Sequence, residues 1–249
     1  LKTEQMFDII KTKNAGGAAV GRVIFHVDVN SAFLSWEAVY RLYHLGGKVD
    51  LRTQVAAVGG DMAMRHGIIL AKSIPAKKYH IQTGETILEA KQKCPDLLLV
   101  PPNYSLYEQC SKAFMEVLLQ YSPDVEQYSV DEAFIDMSGT DKLWGDPVTA
   151  ANRIRSQIKE ELGFTVNIGV SENKLLAKMA SDFQKPDRVH TLWREEIPAK
   201  MWPLPVSNLF FVGRSTARKL HTLGIDTIGE LAAADPYILK SHLKKHGEI

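Results

Sequence analysis

Cysteine is scarce in this chain, which has only Cys94 and Cys110 among its 249 residues. Two cysteines at this spacing fit neither a CxxC metal site nor a disulfide framework, so we expect reduced thiols and a cytoplasmic protein. The eight histidines show no HxH or HExxH spacing, which argues against a zinc site. Phosphate-loop and nucleophile-elbow patterns are also absent from the sequence.

Long apolar runs are missing as well. No run approaches the roughly 20 residues that are needed to cross a bilayer. The first 21 residues have no apolar core followed by a cleavage site, so we predict neither secretion nor membrane insertion. With 45% hydrophobic and 24% charged residues, the composition is that of an ordinary globular protein.

Short β-branched runs alternate along the chain with segments of helical spacing. The predicted strands cover 23–29, 55–58, 67–72, 97–100, two segments within 125–137, and 165–170. The predicted helices cover 33–45, 85–93, 107–121, 147–162 and 174–182. In the first helix the spacing predicts a packing stripe made of Phe33, Trp36, Val39, Tyr40 and Tyr43. Because hairpins accompany the alternation, we predict an α+β fold whose mixed or antiparallel sheet carries helices on one face. A boundary near 190–195 precedes short helices separated by prolines.

Acidic residues occur at two notable places. Asp28 ends the first predicted strand, and Asp131 and Glu132 lie together inside an apolar, strand-like stretch. Burying such carboxylates is costly unless a cation neutralises them, and carboxylates together with substrate phosphates suit Mg²⁺. Two such ions, about 3.5–4 Å apart, would serve phosphoryl chemistry. The alternative is that Asp28 caps the following helix and that the pair is a plain turn.

Three segments resemble the catalytic motifs of the Y-family, translesion DNA polymerases, and they occur in the family's order and spacing. They are VDVNSAF (27–33), SVDEAFID (129–136) and NIGVSENKLLAKMASD (167–182), the last followed by Lys185 and Pro186. This resemblance implies that Asp28, Asp131 and Glu132 are the carboxylate ligands of two Mg²⁺ ions. It also implies that the backbone carbonyl of Val29 is a further ligand.

The same resemblance implies a binding site for a deoxynucleoside triphosphate (dNTP). Phe33 stands where the family has its steric gate, an aromatic ring that excludes a ribose 2′-hydroxyl. Lys185 matches the family's triphosphate-binding lysine. At two positions where many members have Tyr and Arg against the triphosphate, this chain has Ile74 and Lys77. Ile74 cannot donate a hydrogen bond, and Lys77 lacks the planar fork of arginine. The missing contacts could come from Lys72, Lys78 or Arg65.

A segment near the C-terminal end, FVGRSTARKL (211–220), looks like a helix-hairpin-helix motif. A glycine that opens a helix exposes backbone N–H groups to a phosphate, and this contact is indifferent to base sequence. The alternative is a plain helical turn with a basic surface. The predicted DNA-binding residues are Gly213, Arg214, Ser215, Thr216, Arg218 and Lys219.

The family resemblance implies a division of the chain into a lead-in (1–22), a palm (23–36 and 103–192), a small α/β fingers insertion (37–102) and a helical thumb (193–249). A further DNA-binding domain, the little finger, and a segment that binds a sliding clamp would lie beyond the chain. We therefore expect a monomeric, nucleoid-associated, low-fidelity DNA polymerase acting on primer–template DNA and dNTPs. Two other hypotheses are a catalytically silent DNA-binding homologue and a palm-type nucleotidyltransferase or cyclase that uses no primer.

Overall fold

A computed structural model describes residues 21–60 and 67–244. Most of the predicted lead-in, Arg65 and the last residues of the predicted thumb lie outside the described residues. The strands are β1 (Ile24–Val29), β2 (Ala56–Gly59), β3 (Ile69–Lys72), β4 (Leu98–Val100), β5 (Val125–Gln127), β6 (Glu132–Asp136), β7 (Val166–Ser171) and β8 (Val189–Thr191). The helices up to β8 are α1 (Ala32–Tyr43), α2 (Ile74–Lys77), α3 (Ile87–Lys93), α4 (Tyr104–Leu119), α5 (Asp141–Trp144), α6 (Pro147–Leu162) and α7 (Lys174–Ser181). The helices after β8 are α8 (Ile197–Lys200), α9 (Arg214–Thr222), α10 (Ile228–Ala233) and α11 (Pro236–Leu243).

The main sheet has the strand order β5-β6-β1-β7-β8. β1 lies at its centre and pairs antiparallel with both β6 and β7, whereas β7 and β8 are parallel. The register places Asp28 opposite Glu132 on one side and opposite Asn167 on the other. The mixed sheet and the α+β class are therefore confirmed, and the acidic residue of β1 lies beside the first residue of β6.

The two faces of the main sheet carry different helices. Phe25, Val27 and Val29 point into the largest apolar core, which also contains residues of α1, α4 and α6. Ile24 lies on the opposite face and packs against Ala177 of α7. Three helices thus cover one face as predicted, and α7 adds a layer on the other face.

Gly169 is the residue of β7 that lets α7 approach the sheet closely. A Cβ built at this position would overlap the carbonyl oxygen of Ala177 and lie 2.5 Å from the amide nitrogen of Ser181. Both obstacles are backbone atoms of α7, so no side-chain movement relieves them. Glycine is therefore required here by the packing of the helix on the strand.

Replacing Gly169 with alanine is expected to lower the free energy of unfolding by about 3 kcal/mol, because the new methyl group must push α7 off the sheet. Urea denaturation would measure the loss. Gly21→Ala is the matched control, since a Cβ at Gly21 meets no atom within 4 Å. Equal stability of the two variants would contradict this account of the packing.

A second, smaller sheet has the order β3-β2-β4. The predicted hairpin between β2 and β3 is antiparallel, and β4 joins β2 in parallel after α3. Ser73 caps α2, and Thr86 forms a capping box with Glu89 at the start of α3. This part has its own apolar core, which includes Ile69 and Ile81.

The packing stripe predicted for the first helix is confirmed only in part, since Trp36 is buried and Phe33 and Val39 pack partly buried against the core. α1 buries Trp36, but it also buries Leu34 and Ala38, whereas Tyr43 is 72% exposed. The reason is that the first half of α1 has neighbours on several sides, including β2, β3 and α4. Its second half projects beyond these neighbours, so helical spacing alone did not identify the buried residues.

The C-terminal part is helical, as predicted. α8 to α11 pack around two small apolar cores, one of which includes Met179 of α7 and so joins this part to the main sheet. Among the described residues, no helix is both long and apolar enough to span a membrane.

Candidate active site

Asp28, Asp131 and Glu132 come together at one end of the β1–β6 pair. Asp28 and Glu132 lie opposite each other in the register, and the backbone N–H of Val29 donates to the carbonyl oxygen of Asp131 at 2.9 Å. Asp28 is only 8% exposed. Asp28 does not cap the following helix, because the N-cap of α1 is Ser31. The strand pairing therefore unites acids that are about a hundred residues apart in sequence.

Two lysines neutralise these acids. Lys178 of α7, itself buried, donates to Glu132 and lies 3.7 Å from Asp28. Lys185 donates to Asp28 at 2.7 Å and to Asp182 at 2.9 Å. Burial alone would lower the pKa of Lys185, but the carboxylates of Asp28 and Asp182 together outweigh burial and raise it. The lysines supply the positive charge that buried carboxylates require.

Glu132 has a pKa that is raised by its surroundings. Burial raises the pKa of its carboxyl group, and the negative charges of Asp28 and Asp131 act in the same direction. The hydrogen bond from Lys178 opposes this increase. Three carboxylates so close together repel one another, and a bound cation would relieve that repulsion.

His26 lies behind the acids and is fully buried. Burial lowers the pKa of its imidazole to about 2, and the charges of Lys178 and Lys185 act in the same direction, so His26 is neutral. The hydroxyl group of Ser181 donates to the carbonyl oxygen of Lys178, so we infer that His26 Nδ1 donates to Ser181 Oγ, 2.8 Å away. His26 Nε2 then presents a buried lone pair 3.9 Å from Glu132 Oε1.

The donor set fits a hard divalent cation. The available ligands are the carboxylate oxygens of Asp28, Asp131 and Glu132, and Mg²⁺ prefers oxygen ligands. The neutral imidazole of His26 lies behind these acids and adds no positive charge that would oppose a cation. Within 21–60 and 67–244, no three acidic, histidine or cysteine side chains form a ready-made metal cluster. The carboxylates are instead engaged by Lys178 and Lys185, while Asp131 accepts a hydrogen bond from Ser129. A cation bound here would depend on water and substrate oxygens to complete its coordination.

A cleft of about 320 Å³ opens in front of Asp28 and Asp131 and separates them from the second sheet. This volume is within the usual range for small-ligand sites. The cleft is lined by Asp28, Val29, Ser31, Ala32, Phe33, Leu70, Ala71, Lys72, Lys77, Thr83 and Asp131. Strand β1 and the start of α1 form one wall, and the β3–α2 segment forms the opposite wall.

Several sequence-predicted residues meet at this cleft. Phe33 and Lys77 line it from opposite walls, and Lys185 contacts Asp28 at its edge. Lys72 also lines the cleft, and burial lowers its pKa, with the charge of Lys77 acting in the same direction. Ile74 is half-exposed at the start of α2 and is not a lining residue.

Phe33 is held by a stack of aromatic rings. Its ring lies parallel to that of Tyr107 in α4, with centroids 4.3 Å apart and planes 8° apart. The hydroxyl group of Tyr107 donates to the buried carboxylate of Glu37, which also accepts from Arg41. Burial and the nearby carboxylate raise the pKa of Tyr107. The packing thus fixes the plane of the Phe33 ring at the wall of the cleft.

Replacing Tyr107 with phenylalanine is expected to destabilise the protein by about 1–3 kcal/mol, because one oxygen of the buried Glu37 carboxylate loses its donor. The midpoint of urea unfolding would measure this change. Tyr104→Phe, in the same helix but at an exposed position, is the matched control. A loss no larger than that of the control would show that the Tyr107–Glu37 hydrogen bond contributes little.

The loop that carries Lys185 is tied to the main sheet by two asparagines. Buried Asn30 donates to Asn167 at 3.2 Å and accepts from the N–H of Asp187 at 2.9 Å. Asn167 donates in turn to the carbonyl oxygen of Gln184 at 2.7 Å. These asparagines carry no role that the sequence predicts, because their side chains become neighbours only through the pairing of β1 with β7.

Lys178 was also missed as a site residue. It lies inside the third motif, but helical spacing alone gives no indication that its side chain is directed toward acids on β1 and β6. Its position follows from the close approach of α7 to Gly169. Thr83, a lining residue of the cleft, had no sequence signal that we can identify.

The predicted DNA-binding segment forms the start of α9. Gly213 is its N-cap residue and makes no side-chain capping bond. The backbone and side chains of this first turn face solvent, with only Thr216 half-buried among the residues predicted to bind DNA. Ala217 and Leu220 form the buried side of the helix. Arg214 thus lies at the helix start, while Arg218 and Lys219 follow along the exposed side of α9, with Lys219 in its last turn.

Two family models match this chain. Residues 27–182 match the impB/mucB/samB family, and residues 194–225 match the helix-hairpin-helix motif of the same family. The chain is 52% identical over 231 residues to DNA polymerase IV of Clostridium acetobutylicum and 44% identical over 226 residues to that of Acetivibrio thermocellus. These matches cover 92% and 91% of this chain, but only 58% and 55% of the relatives. The chain thus spans little more than half of their length.

Solved structures agree with this relationship. DinB from Sulfolobus solfataricus matches with a TM-score of 0.79 and 24% identity, covering 91% of this chain and 64% of that one. An insertion ternary complex of Dbh DNA polymerase matches with a TM-score of 0.78 and 25% identity, covering 91% of this chain and 65% of that one. Because the family model spans the acids, the cleft and α7, this chain belongs to the impB/mucB/samB family and has the fold of a Y-family DNA polymerase catalytic core.

Proposed function

We propose that this chain is the catalytic core of a template-directed DNA polymerase of the translesion type. The observation that carries the proposal is a cleft lined by Asp28 and Asp131 on one wall, with Glu132 paired to Asp28, and by Lys72 and Lys77 on the opposite wall. Acids on one side and cations on the other suit a metal-bound triphosphate. Two relatives that match over 92% and 91% of this chain are named DNA polymerase IV, which supports the same activity.

The proposed reaction is the attack of a primer 3′-hydroxyl on the α-phosphate of a dNTP. A bond forms between the 3′-oxygen and the α-phosphorus, the bond to the β-phosphate oxygen breaks, and pyrophosphate leaves. Asp28, Asp131 and Glu132, with the Val29 carbonyl, would hold two Mg²⁺ ions. When bound, Mg²⁺ lowers the pKa of the attacking hydroxyl group and stabilises the negative charge on the leaving group.

The residues of the chain position the dNTP. Phe33 would lie under the sugar and exclude a 2′-hydroxyl, because its stacked ring cannot turn aside. Lys185 would bind the triphosphate from the side of Asp28, while Lys77 and Lys72 would bind it from the second sheet. Lys77 provides positive charge without the bidentate hydrogen bonding of arginine, so binding of the triphosphate would depend on several ammonium groups.

We assign the parts of the chain accordingly. Residues 23–36 and 103–192 would form the palm, 37–102 the fingers and 193–249 the thumb. In the thumb, Gly213, Arg214, Ser215, Thr216, Arg218 and Lys219 would bind the phosphates of primer–template DNA. Monomeric state, nucleoid association, a little-finger domain and a sliding-clamp segment beyond this chain remain predictions from the family resemblance.

Primer extension tests the proposal. The chain is incubated with a labelled primer–template, Mg²⁺ and single dNTPs, and the templating base is then changed. Incorporation that follows the templating base would support a polymerase. Nucleotide turnover without primer–template DNA would favour a cyclase or another palm-type nucleotidyltransferase. DNA binding without turnover would favour the catalytically silent homologue.

A further inference from the structure

Phe211 has a backbone conformation that phenylalanine rarely adopts. Its φ angle is +74°, in the left-handed region where glycine is at ease and a bulky side chain is strained. Its side chain is nevertheless 75% exposed, so burial of the ring does not offset the strain. Strained residues of this kind cluster at binding and catalytic sites.

The neighbouring residue explains how this turn is fixed. The Phe210 ring packs beside Met179 of α7, and its backbone N–H approaches the sulfur of Met179 at 3.4 Å. Phe210 also lies 6.2 Å from the ring of Tyr128, between centroids. Phe210 therefore anchors the turn, while Phe211 extends from it toward solvent with its ring centroid 4.0 Å from that of Phe210.

Phe211 lies near two regions that the proposed function brings to DNA, namely the basic start of α9 and the acidic site. On one side, Gly213 follows two residues later and opens α9, whose Arg214 and Arg218 are exposed. On the other side, the Lys178 ammonium lies 5.9 Å from the Phe210 ring and contacts Glu132. Phe211 thus adjoins the basic start of α9 along the chain and stacks on Phe210, whose ring faces the lysine that contacts Glu132.

We propose that Phe211 is a DNA-contacting residue whose ring packs against a deoxyribose of the primer strand close to its 3′ end. The inference rests on the proposed function, which brings the primer 3′-hydroxyl to the acids. A sugar face offers apolar C–H groups irrespective of base sequence, and an exposed aromatic ring is suited to cover it. The basic side chains beside the ring attract the phosphates of the same strand.

The ring contact is uncharged, and this distinguishes it from phosphate binding. Removing a phosphate contact lowers the affinity, and it also reduces the slope of log K against log salt by about one. Removing an apolar contact lowers affinity and leaves that slope unchanged. The salt dependence of binding therefore separates the two kinds of contact.

Phe211→Gly tests the proposal, since glycine accepts the positive φ angle and removes only the ring. We expect the dissociation constant for a fluorescent primer–template duplex, measured by anisotropy, to rise about tenfold. The slope of log K against log salt should equal that of the unaltered chain. The melting temperature of the variant should be equal to that of the unaltered chain or higher, because glycine relieves the strained φ angle. Phe211→Tyr, which retains a ring, should bind as the unaltered chain does.

Two further variants serve as controls. Arg214→Ala should weaken binding and also reduce the salt slope by about one. Tyr237→Ala removes another ring from the same part of the chain, 83% exposed but on α11, and should leave affinity unchanged. If the melting temperature of Phe211→Gly falls, Phe211→Asn, which also tolerates a positive φ angle, replaces it in the binding series.

Unchanged affinity of Phe211→Gly would overturn the proposal, as would a reduced salt slope like that of Arg214→Ala. The same samples are tested for primer extension. Ring-dependent DNA binding without any extension by the unaltered chain would overturn the polymerase function and leave the Phe211 contact supported. Extension with ring-independent binding would overturn the contact alone.

Discussion

Asp131→Ala is expected to reduce primer extension by about 1,000-fold or more, because the variant lacks one of three carboxylates that hold the catalytic cations. Asp131 is the best of the three acids for this test. Asp28 and Glu132 are engaged by Lys185 and Lys178, so truncating either acid would also remove an ion pair that holds a lysine in place. Asp131 is only partly buried and accepts its hydrogen bond from Ser129 of the same loop.

The melting temperature of Asp131→Ala should therefore stay close to that of the unaltered chain, and its DNA affinity should be retained. Asp141→Ala, an exposed acidic residue in the first turn of α5, is the matched control and should extend primers normally. Steady-state extension rates with saturating dNTP would measure the effect. Normal extension by Asp131→Ala would exclude this residue from the catalytic site.

Phe33→Ala is expected to raise ribonucleotide incorporation relative to deoxyribonucleotide incorporation by about 100-fold. The unaltered ring is held parallel to Tyr107, so it cannot rotate away from a 2′-hydroxyl. Alanine would leave space at the wall of the cleft and accept either sugar. The ratio of kcat/KM for a ribonucleotide and the matching deoxyribonucleotide would give the change.

Tyr43→Ala provides the control for this substitution. Tyr43 also belongs to α1 but lies exposed at the end away from the cleft. Its replacement should leave sugar selection unchanged. If Phe33→Ala discriminates between the two sugars as well as the Tyr43 variant does, Phe33 is not the residue that excludes the 2′-hydroxyl.

Local signals in the sequence were sufficient to predict many elements. α6 extends from Pro147 to Leu162, as predicted, because Asp146 caps its start and Gly163 ends it in a left-handed conformation. The acids stood out because carboxylates at the ends of apolar strands are costly without a cation, and the resemblance of the motifs to Y-family polymerases then implied their roles as ligands. In each case the decisive interactions are made within a few residues, or the chemistry of the side chain is informative by itself.

Features that depend on tertiary contacts could not be predicted in this way. The buried residues of α1 are determined by neighbours from several elements, so the predicted stripe included exposed Tyr43 and omitted buried Leu34 and Ala38. Lys178 reaches Glu132 only because α7 packs tightly on Gly169. Likewise, Asn30 and Asn167 meet across paired strands. The hydrophobic periodicity of a segment does not predict such contacts, because they bring together residues more than forty positions apart.

The asparagine pair has a mechanical consequence for the proposed enzyme. Asn30 and Asn167 join the loop bearing Lys185 to the main sheet, through hydrogen bonds to Gln184 and Asp187 on either side of the lysine. The wall formed by Leu70 and Ala71 belongs to the other sheet. In the proposed enzyme, the charges held for chemistry and the opposite wall of the cleft would thus belong to different sheets.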